Sequence, residues 1–323
     1  MKGLLATNFI RPWVERWFNP INAFKFWFTA FDRTDIMAGV LSRTLFTRGL
    51  TRRELRIRDL DPKRPYLLMN ATDVTENADG EDHFGRIFTF TDEDFRAKLN
   101  SDVSRYSLAR AVMASSCFPV VFNSMTLRDY RDPSAKRARY LHVFDGGNAD
   151  NLGLETAKEV ILREHRKTKR DGSPKYSHCV VILVDADTDY PGIDRNSPDA
   201  RGVVGHFADL NVIGTIESLM ERNRETTVKE FQVGHLKRPE GEEVQNLAFW
   251  HIKFSDVPES EDDPAGEGKL VRRLLQIRTD FKISSDDCRR IDKAVSLLVV
   301  PNVAALREIH DVLPSPNAAV PAQ

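Results

Sequence analysis

Three absences narrow the kinds of protein that this sequence can encode. It has only three cysteines in 323 residues and no C-x-x-C pair, so neither a disulfide framework nor a structural zinc site is expected. No run of 18 apolar residues predicts a membrane-spanning helix, and the first residues hold too short an apolar run for a signal peptide. The net charge of −1 gives no whole-chain field that attracts nucleic acid or anionic lipid. We therefore expect a protein of a reducing compartment, cytoplasmic or held peripherally at a membrane.

The chain is long enough for a well-packed core. Apolar residues make up 41% and charged residues 29%, which is ordinary for a globular protein. Predicted strands alternate with predicted helices, which favours an α/β fold of three layers, α/β/α, with a mostly parallel central sheet. We expect residues 32–313 to form this domain, residues 1–31 to be an aromatic-rich segment and residues 314–323 to be a disordered tail.

Capping residues and apolar spacing predict the main elements. The predicted helices are 32–46, one opening at the capping box Thr91–Asp94, one opening at Ser107, one through 154–161, one through 210–231 and one opening at Ser284. The predicted strands are 65–74, 86–90, 140–144, 177–184 and 247–254. The acidic stretch 259–268 is expected to be a flexible surface loop.

The aromatic segment, residues 8–31, holds nine phenylalanine and tryptophan rings and three of the four tryptophans. One interpretation is an interfacial helix that dips its rings into a lipid boundary, making residues 9–31 a membrane-surface contact. A second is a pair of short helices that dock their rings on the body of the domain. The second is favoured because the basic residues do not fill an opposite helix face. A third is that the segment covers the core of further protein preceding it.

One carboxylate occupies a position suited to chemistry. Asp145 follows a predicted strand and precedes Gly146 and Gly147, so it lies on a tight turn at the carboxyl end of that strand. In an α/β sheet, functional residues collect at such strand ends. Asp150 and Asn151 are expected to hydrogen-bond to this turn and fix it. The alternative is an ordinary surface turn, because Asp-Gly is a common turn pair.

The surrounding sequence resembles the patatin-like phospholipases. The stretch LARAVMASSCFPVVF at 108–122, followed after a hairpin by DGGNADNLG at 145–153, is similar to that family. Three shorter fragments occur in the family's order: Asn70–Asp73, Phe88–Phe90 and Ile277–Thr279. The resemblance runs from about Asp32 to Leu298.

The resemblance implies a lipid acyl hydrolase that works with a Ser–Asp dyad. Asp145 matches the aspartate that takes the proton of the attacking serine, and the substrate is a lipid or another acyl ester. Four residues match a stretch that lines the substrate pocket: Ser115, Ser116, Phe118 and Pro119. Such a dyad needs no cofactor and no metal, so neither is expected, and no nucleic-acid partner is expected either.

The family's nucleophile is missing from this chain. No serine has glycine at both i−2 and i+2, so the G-x-S-x-G elbow is absent, as is the glycine-rich oxyanion loop that precedes it. Ser115 and Ser116 are poor substitutes, because they match a close-packed motif. We therefore expect a truncated hydrolase that carries the aspartate without the serine and is inactive alone. The alternative is a non-catalytic lipid-binding or interaction protein on the same scaffold.

A weaker alternative is a metal-dependent hydrolase. Asp185 and Asp187 follow a predicted buried strand, where carboxylates can bind a divalent cation. No glycine-rich phosphate loop accompanies them, and a polar loop after a strand is the simpler reading.

Overall fold

The computed structural model describes most of the chain in separate stretches. These are residues 8–48, 53–75, 84–118, 121–134, 136–167, 176, 179–186, 224–233, 236–237, 243–244, 247–277 and 283–300. The predicted helix start near 210, Asp187 and the tail 314–323 lie outside these residues. No described helix is both long and apolar enough to cross a lipid bilayer.

Helices and strands occur in both of the compact units into which the chain divides. The first unit contains residues 8–156, and the second contains the described residues of 157–186 and 225–300. The helices are α1 Ile10–Trp17, α2 Pro20–Phe28, α3 Arg33–Leu45, α4 Asp92–Leu99, α5 Leu108–Ser115, α6 Gly147–Asp150, α7 Leu154–His165, α8 Leu270–Leu275 and α9 Ser285–Leu298. The strands are β1 Thr47–Arg48, β2 Arg53–Glu54, β3 Asn70–Asp73, β4 Ile87–Thr89, β5 Met125–Asp129, β6 Arg139–Asp145, β7 Cys179–Asp185, β8 Leu236–Lys237, β9 Glu243–Val244 and β10 Leu247–Lys253. Residues 224–232 are also helical.

The first unit is built on a four-stranded sheet in the order β4-β3-β6-β5. All three pairings, β3 with β4, β3 with β6 and β5 with β6, are antiparallel. This corrects the expectation of a mostly parallel sheet for this part of the protein, while the assignment to the α/β class is confirmed. Buried Ala71, Phe88 and Val143 lie in the core of this unit, against which α3 and α5 pack.

Local capping signals explain where the helices of this unit begin. Asp32 caps α3, its side chain accepting from the amides of Thr34 and Asp35, and Asp35 closes the capping box. Thr91 and Ser107 cap α4 and α5, as the sequence predicted. The predicted strand 65–74 is shorter than expected, because only residues 70–73 pair with neighbours.

The second unit holds the parallel pair of strands. β7 and β10 pair from Cys179↔Leu247 to Asp185↔Lys253, which confirms both predicted strands. Ser284 caps α9 as predicted, but Val295 is half exposed and the buried residues of that helix are Arg290 and Ala294. Asp263 is also buried, so the acidic stretch 259–268 is more than a surface loop.

Candidate functional site

Asp145 is the last residue of β6 and is held by its backbone to the neighbouring strand. The Thr72 hydroxyl of β3 donates to the Asp145 carbonyl oxygen at 2.7 Å, and Ala71 is its partner in the ladder. The carboxylate therefore stands at the end of a central strand of the four-stranded sheet.

The loop that follows α5 holds the turn from a second side. The Asp145 amide donates to the Cys117 carbonyl oxygen and the Gly146 amide to the Ser115 carbonyl oxygen, both at 3.3 Å. Two segments that are distant in sequence thus meet here, which is a physical reason for their joint appearance in the motif pattern. Backbone amides of one segment are thus hydrogen-bonded to carbonyl oxygens of the other where β6 ends.

Gly146 is required by close packing rather than by its backbone dihedrals. Its φ of −65° and ψ of −26° are open to any residue. A Cβ atom at this position would lie 2.4 Å from the Asn70 carbonyl oxygen and 2.8 Å from the Asn70 carbonyl carbon. Glycine is therefore required at position 146 because the missing side chain lets β3 approach, and not because of backbone freedom.

The Asp145 carboxylate is partly buried, and one of its two oxygens accepts a hydrogen bond from a described residue. Its Oδ1 accepts from the Gly147 amide at 2.8 Å. No hydrogen bond from a described residue reaches Oδ2. Burial raises the pKa of Asp145 and the Gly147 amide opposes that shift, with burial the larger effect. A carboxylate with a raised pKa and a free oxygen is a better proton acceptor than an ordinary surface aspartate.

Asp150 ties the site to the start of α7. Its carboxylate accepts from the amides of Glu155 and Thr156, at 3.2 and 2.9 Å, and from Asn70 Nδ2 at 3.1 Å. Asn70 Nδ2 also donates to the Thr156 hydroxyl at 2.8 Å. Asn70 was quoted in the motif pattern without a role. The structure shows that its side chain links β3 to α7, while its backbone packs closely against Gly146.

Replacing Asp150 with alanine is expected to destabilise this unit by about 2 kcal/mol. The change leaves two amides at the start of α7 and the Asn70 amide without their acceptor. Chemical denaturation monitored by circular dichroism measures the loss. Asp150→Asn, which keeps one acceptor oxygen, is the matched control and should lose about half as much. Equal stability of Asp150→Ala and the parent would contradict this role.

Two amide oxygens beside the turn are buried without a partner. Asn70 Oδ1 and Asn148 Oδ1 accept no hydrogen bond within the described part of the chain. Buried acceptors normally find a donor in a complete structure. Asn151, predicted to fix the turn, is exposed at the end of α6.

The four predicted pocket residues occupy different environments. Ser115 is half-buried and contributes its carbonyl oxygen to the turn. Ser116 is exposed, and its hydroxyl donates to the Val112 carbonyl oxygen at 2.9 Å. Phe118 is half-buried. Pro119 lies outside the described residues.

Cys117 is buried beside Asp145 but is not an alternative nucleophile. Its thiol donates to the Ala114 carbonyl oxygen at 3.1 Å. Burial, reinforced by the charge of Asp145, raises the pKa of Cys117 to about 12. A neutral thiol is a weak nucleophile, so this residue stays a packed core group at neutral pH.

The second unit contains a buried acid–imidazole pair that motif reading missed. His251 Nε2 lies 2.8 Å from Asp185 Oδ2, and both side chains are largely buried. The two residues lie two positions apart in the ladder of β7 and β10, so their side chains share one face. No group of three metal-ligating side chains occurs among the residues that the structure describes.

Comparison with known families matches the first half of the chain. Residues 2–158 match the family model described as Patatin-like phospholipase. The match contains Asp145 and its surroundings and also residues 8–31, which the motif resemblance left out. No curated protein and no solved structure matches the chain. This match, over just under half of the chain, confirms the resemblance to the patatin-like phospholipases that the motifs indicated.

Proposed function

We propose that this protein is the aspartate-bearing part of a lipid acyl hydrolase that uses a Ser–Asp dyad, with Asp145 as the general base. The observation that carries the proposal is the state of the Asp145 carboxylate. It stands at a strand end, with a pKa raised by burial and with Oδ2 free of described donors. The matched family supports lipid substrates for this site.

The proposed chemistry balances with a serine and water alone. The serine hydroxyl attacks the ester carbonyl carbon while Asp145 Oδ2 takes its proton, and the proton then leaves with the alcohol. Water then attacks the acyl-enzyme while Asp145 takes its proton and passes it to the departing serine oxygen, which releases the fatty acid and restores the serine hydroxyl. One carboxylate therefore serves both half-reactions as a proton shuttle.

The serine of this dyad is proposed to come from polypeptide outside these 323 residues. The sequence contains no G-x-S-x-G elbow, and the Ser116 hydroxyl is engaged with a helix carbonyl. By itself, the chain is expected to be inactive as a hydrolase.

The test is an ester-hydrolysis assay with a short-chain p-nitrophenyl ester and with phospholipid. This chain is compared with a longer one that includes any reading frame preceding Met1 and containing G-x-S-x-G. We expect turnover only from the longer chain. Turnover by this chain that survives Ser115→Ala and Ser116→Ala would refute the dyad proposal.

Asp145→Asn in the longer chain is expected to abolish the chemical step without loss of stability. Because the fold raises the pKa of Asp145, the fold favours the neutral carboxyl. Its stabilisation is complete below the unfolded-state pKa and is lost as pH rises through the folded-state pKa. At pH 7 the amide should therefore unfold at an equal or higher temperature than the parent. A lower unfolding temperature at pH 7, or retained turnover, contradicts this role.

A non-catalytic lipid-binding protein is the second candidate. The observation that favours it is the set of exposed rings in the aromatic segment, which does not depend on a serine. This function is supported if the protein binds lipid and no longer chain hydrolyses the esters.

Three finer expectations also stay proposals. These are the three-layer fold, for which the parallel pair β7 and β10 is the support, a reducing cytoplasmic location, and residues 32–313 as one domain.

A further inference from the structure

The aromatic segment leaves a large apolar surface uncovered. It folds as two short helices, α1 and α2, and neither contains a buried residue. Its most exposed rings are Phe18 at 81%, Trp27 at 79%, Phe28 at 72% and Phe24 at 63% of their full accessible area. Exposed aromatic rings concentrated on two successive short helices are typical of an interaction surface in a folded protein.

Only one side of the segment docks on the domain. Phe9 and Trp13 pack against the core of the first unit, and Trp13 Nε1 donates to the Arg33 carbonyl oxygen at 3.0 Å. The Trp13 ring lies 5.3 Å from that of Phe122. α1 therefore packs on the core of the first unit, whereas the rings of α2 pack on each other, as Phe24 does on Phe28.

The charges of the segment are positive and mostly unneutralised. It contains Arg11, Arg16, Lys25 and Glu15, which give three positive charges minus one negative, or +2. Glu15 forms a salt bridge with Arg11. Neither Arg16 nor Lys25 is in a salt bridge with a described carboxylate. Partial burial and the neighbouring Arg43 lower the pKa of Arg16, as expected where positive charges adjoin.

We propose that α2 and the end of α1 form a docking surface for an anionic lipid bilayer, with the rings of Phe18, Phe24, Trp27 and Phe28 inserted and Arg16 and Lys25 at the headgroups. Exposed aromatics next to unpaired cations are the combination that an anionic membrane surface attracts. Lys25 already lies over the Phe31 ring at 5.5 Å, so its charge stays close to the apolar surface.

Ring and backbone contacts connect α1 to the loop that holds the Asp145 turn. Trp13 contacts Phe122, and the Phe122 amide donates to the Phe118 carbonyl oxygen at 3.1 Å. Phe118 directly follows Cys117, whose carbonyl oxygen holds the Asp145 amide. These contacts link the docked side of the segment, through α1, to the turn that carries Asp145.

The test is co-sedimentation of the 323-residue protein with phosphatidylcholine vesicles containing 20% phosphatidylglycerol and with phosphatidylcholine alone. We expect binding to the anionic vesicles, weakened by salt, with quenching of tryptophan fluorescence by brominated lipid. Substituting Phe24, Trp27 and Phe28 together by serine should weaken binding about a hundredfold. Lys25→Glu should weaken binding to anionic vesicles while leaving every ring in place.

The controls keep the proposal refutable. Phe84→Ser removes an exposed ring outside the segment and should bind as the parent does. Equal thermal unfolding of the triple variant and the parent shows intact folding, and the single Trp27→Ser replaces the triple variant if it misfolds. Unchanged vesicle binding in these variants overturns the proposal. So does a parent dimer that the triple variant converts to monomer without altered vesicle binding, since a second copy then covers the surface. Asp145→Asn should bind vesicles normally, so a failure of lipid docking is distinct from a failure of the proposed hydrolysis.

Discussion

Gly146→Ala is expected to destabilise the first unit by about 3 kcal/mol or more. The added Cβ would meet the backbone of Asn70, with its carbonyl oxygen at 2.4 Å and its carbonyl carbon at 2.8 Å. Neither atom can rotate away, because Asn70 is fixed by its pairing with Thr89 in β4. Either β3 or the Asp145 turn must move. Urea unfolding followed by circular dichroism measures the loss.

Gly39→Ala is the matched control for this prediction. Gly39 lies inside α3, and a Cβ there meets no atom within 4 Å. Alanine at this helical position should stabilise the protein by about 0.5–1 kcal/mol. If both alanine variants had similar effects on stability, steric contact with Asn70 would not be the reason for Gly146. In an active longer chain, Gly146→Ala should also abolish turnover, since it displaces Asp145.

Arg290→Met should cost about 3–5 kcal/mol in the second unit, because it leaves a buried carboxylate without its counterion. Arg290 donates from Nε and Nη2 to the two oxygens of Asp263, at 3.0 and 2.9 Å, and its side chain is only 9% exposed. It also binds Glu267 and Asp287, each at 2.8 Å. Asp263 and Asp287 would then lose their described counterion, and Glu267 would keep only Arg273, at 3.6 Å.

The pH dependence of stability provides a second measurement of the same contact. Hydrogen bonds from Arg290 are the main cause that lowers the pKa of Asp263. A lowered carboxyl pKa stabilises the fold above the unfolded-state pKa, and this stabilisation is lost as pH falls through the folded-state pKa. Arg290→Met should therefore remove part of the parent's loss of stability in acid.

Arg289→Ala tests whether burial is the cause. Arg289 is one residue away and pairs with Asp286, but both side chains are about half exposed. Its loss should cost less than about 0.5 kcal/mol. A cost for Arg289→Ala equal to that for Arg290→Met would show that the position in α9, and not the buried cluster, is responsible.

Sequence reading succeeded where the signal is local. The caps Asp32, Thr91, Ser107 and Ser284 were all correctly placed, because a capping side chain bonds to amides two or three residues away. It failed to predict which strands pair and in which direction. Strand direction in the sheet of the first unit depends on which strands pair, including β3 and β6, which are far apart in sequence, and all three pairings are antiparallel instead of the expected parallel ones.

The candidate site divides in the same way. Asp145 was identified from an Asp-Gly-Gly turn after a strand, and its position at the strand end follows from that pattern. Nothing local indicated that Asn70 restricts Gly146, or that His251 pairs with Asp185, because those contacts join residues 66 or more positions apart. The nine rings of the aromatic segment were visible in the sequence, but the sequence did not indicate which of them pack on the domain and which stay exposed.

Composition and local pattern were sufficient for the α/β class, the capped helix starts, the resemblance to the matched family and the choice of Asp145 as the candidate acidic residue. They depend on spacings of a few residues, which backbone geometry translates directly into structure. Tertiary packing alone decided the antiparallel sheet, the burial that raises the pKa of Asp145, the cluster around Arg290 and the exposure of α2. Burial and pairing are properties of distant segments brought together, so no short stretch of sequence contains them.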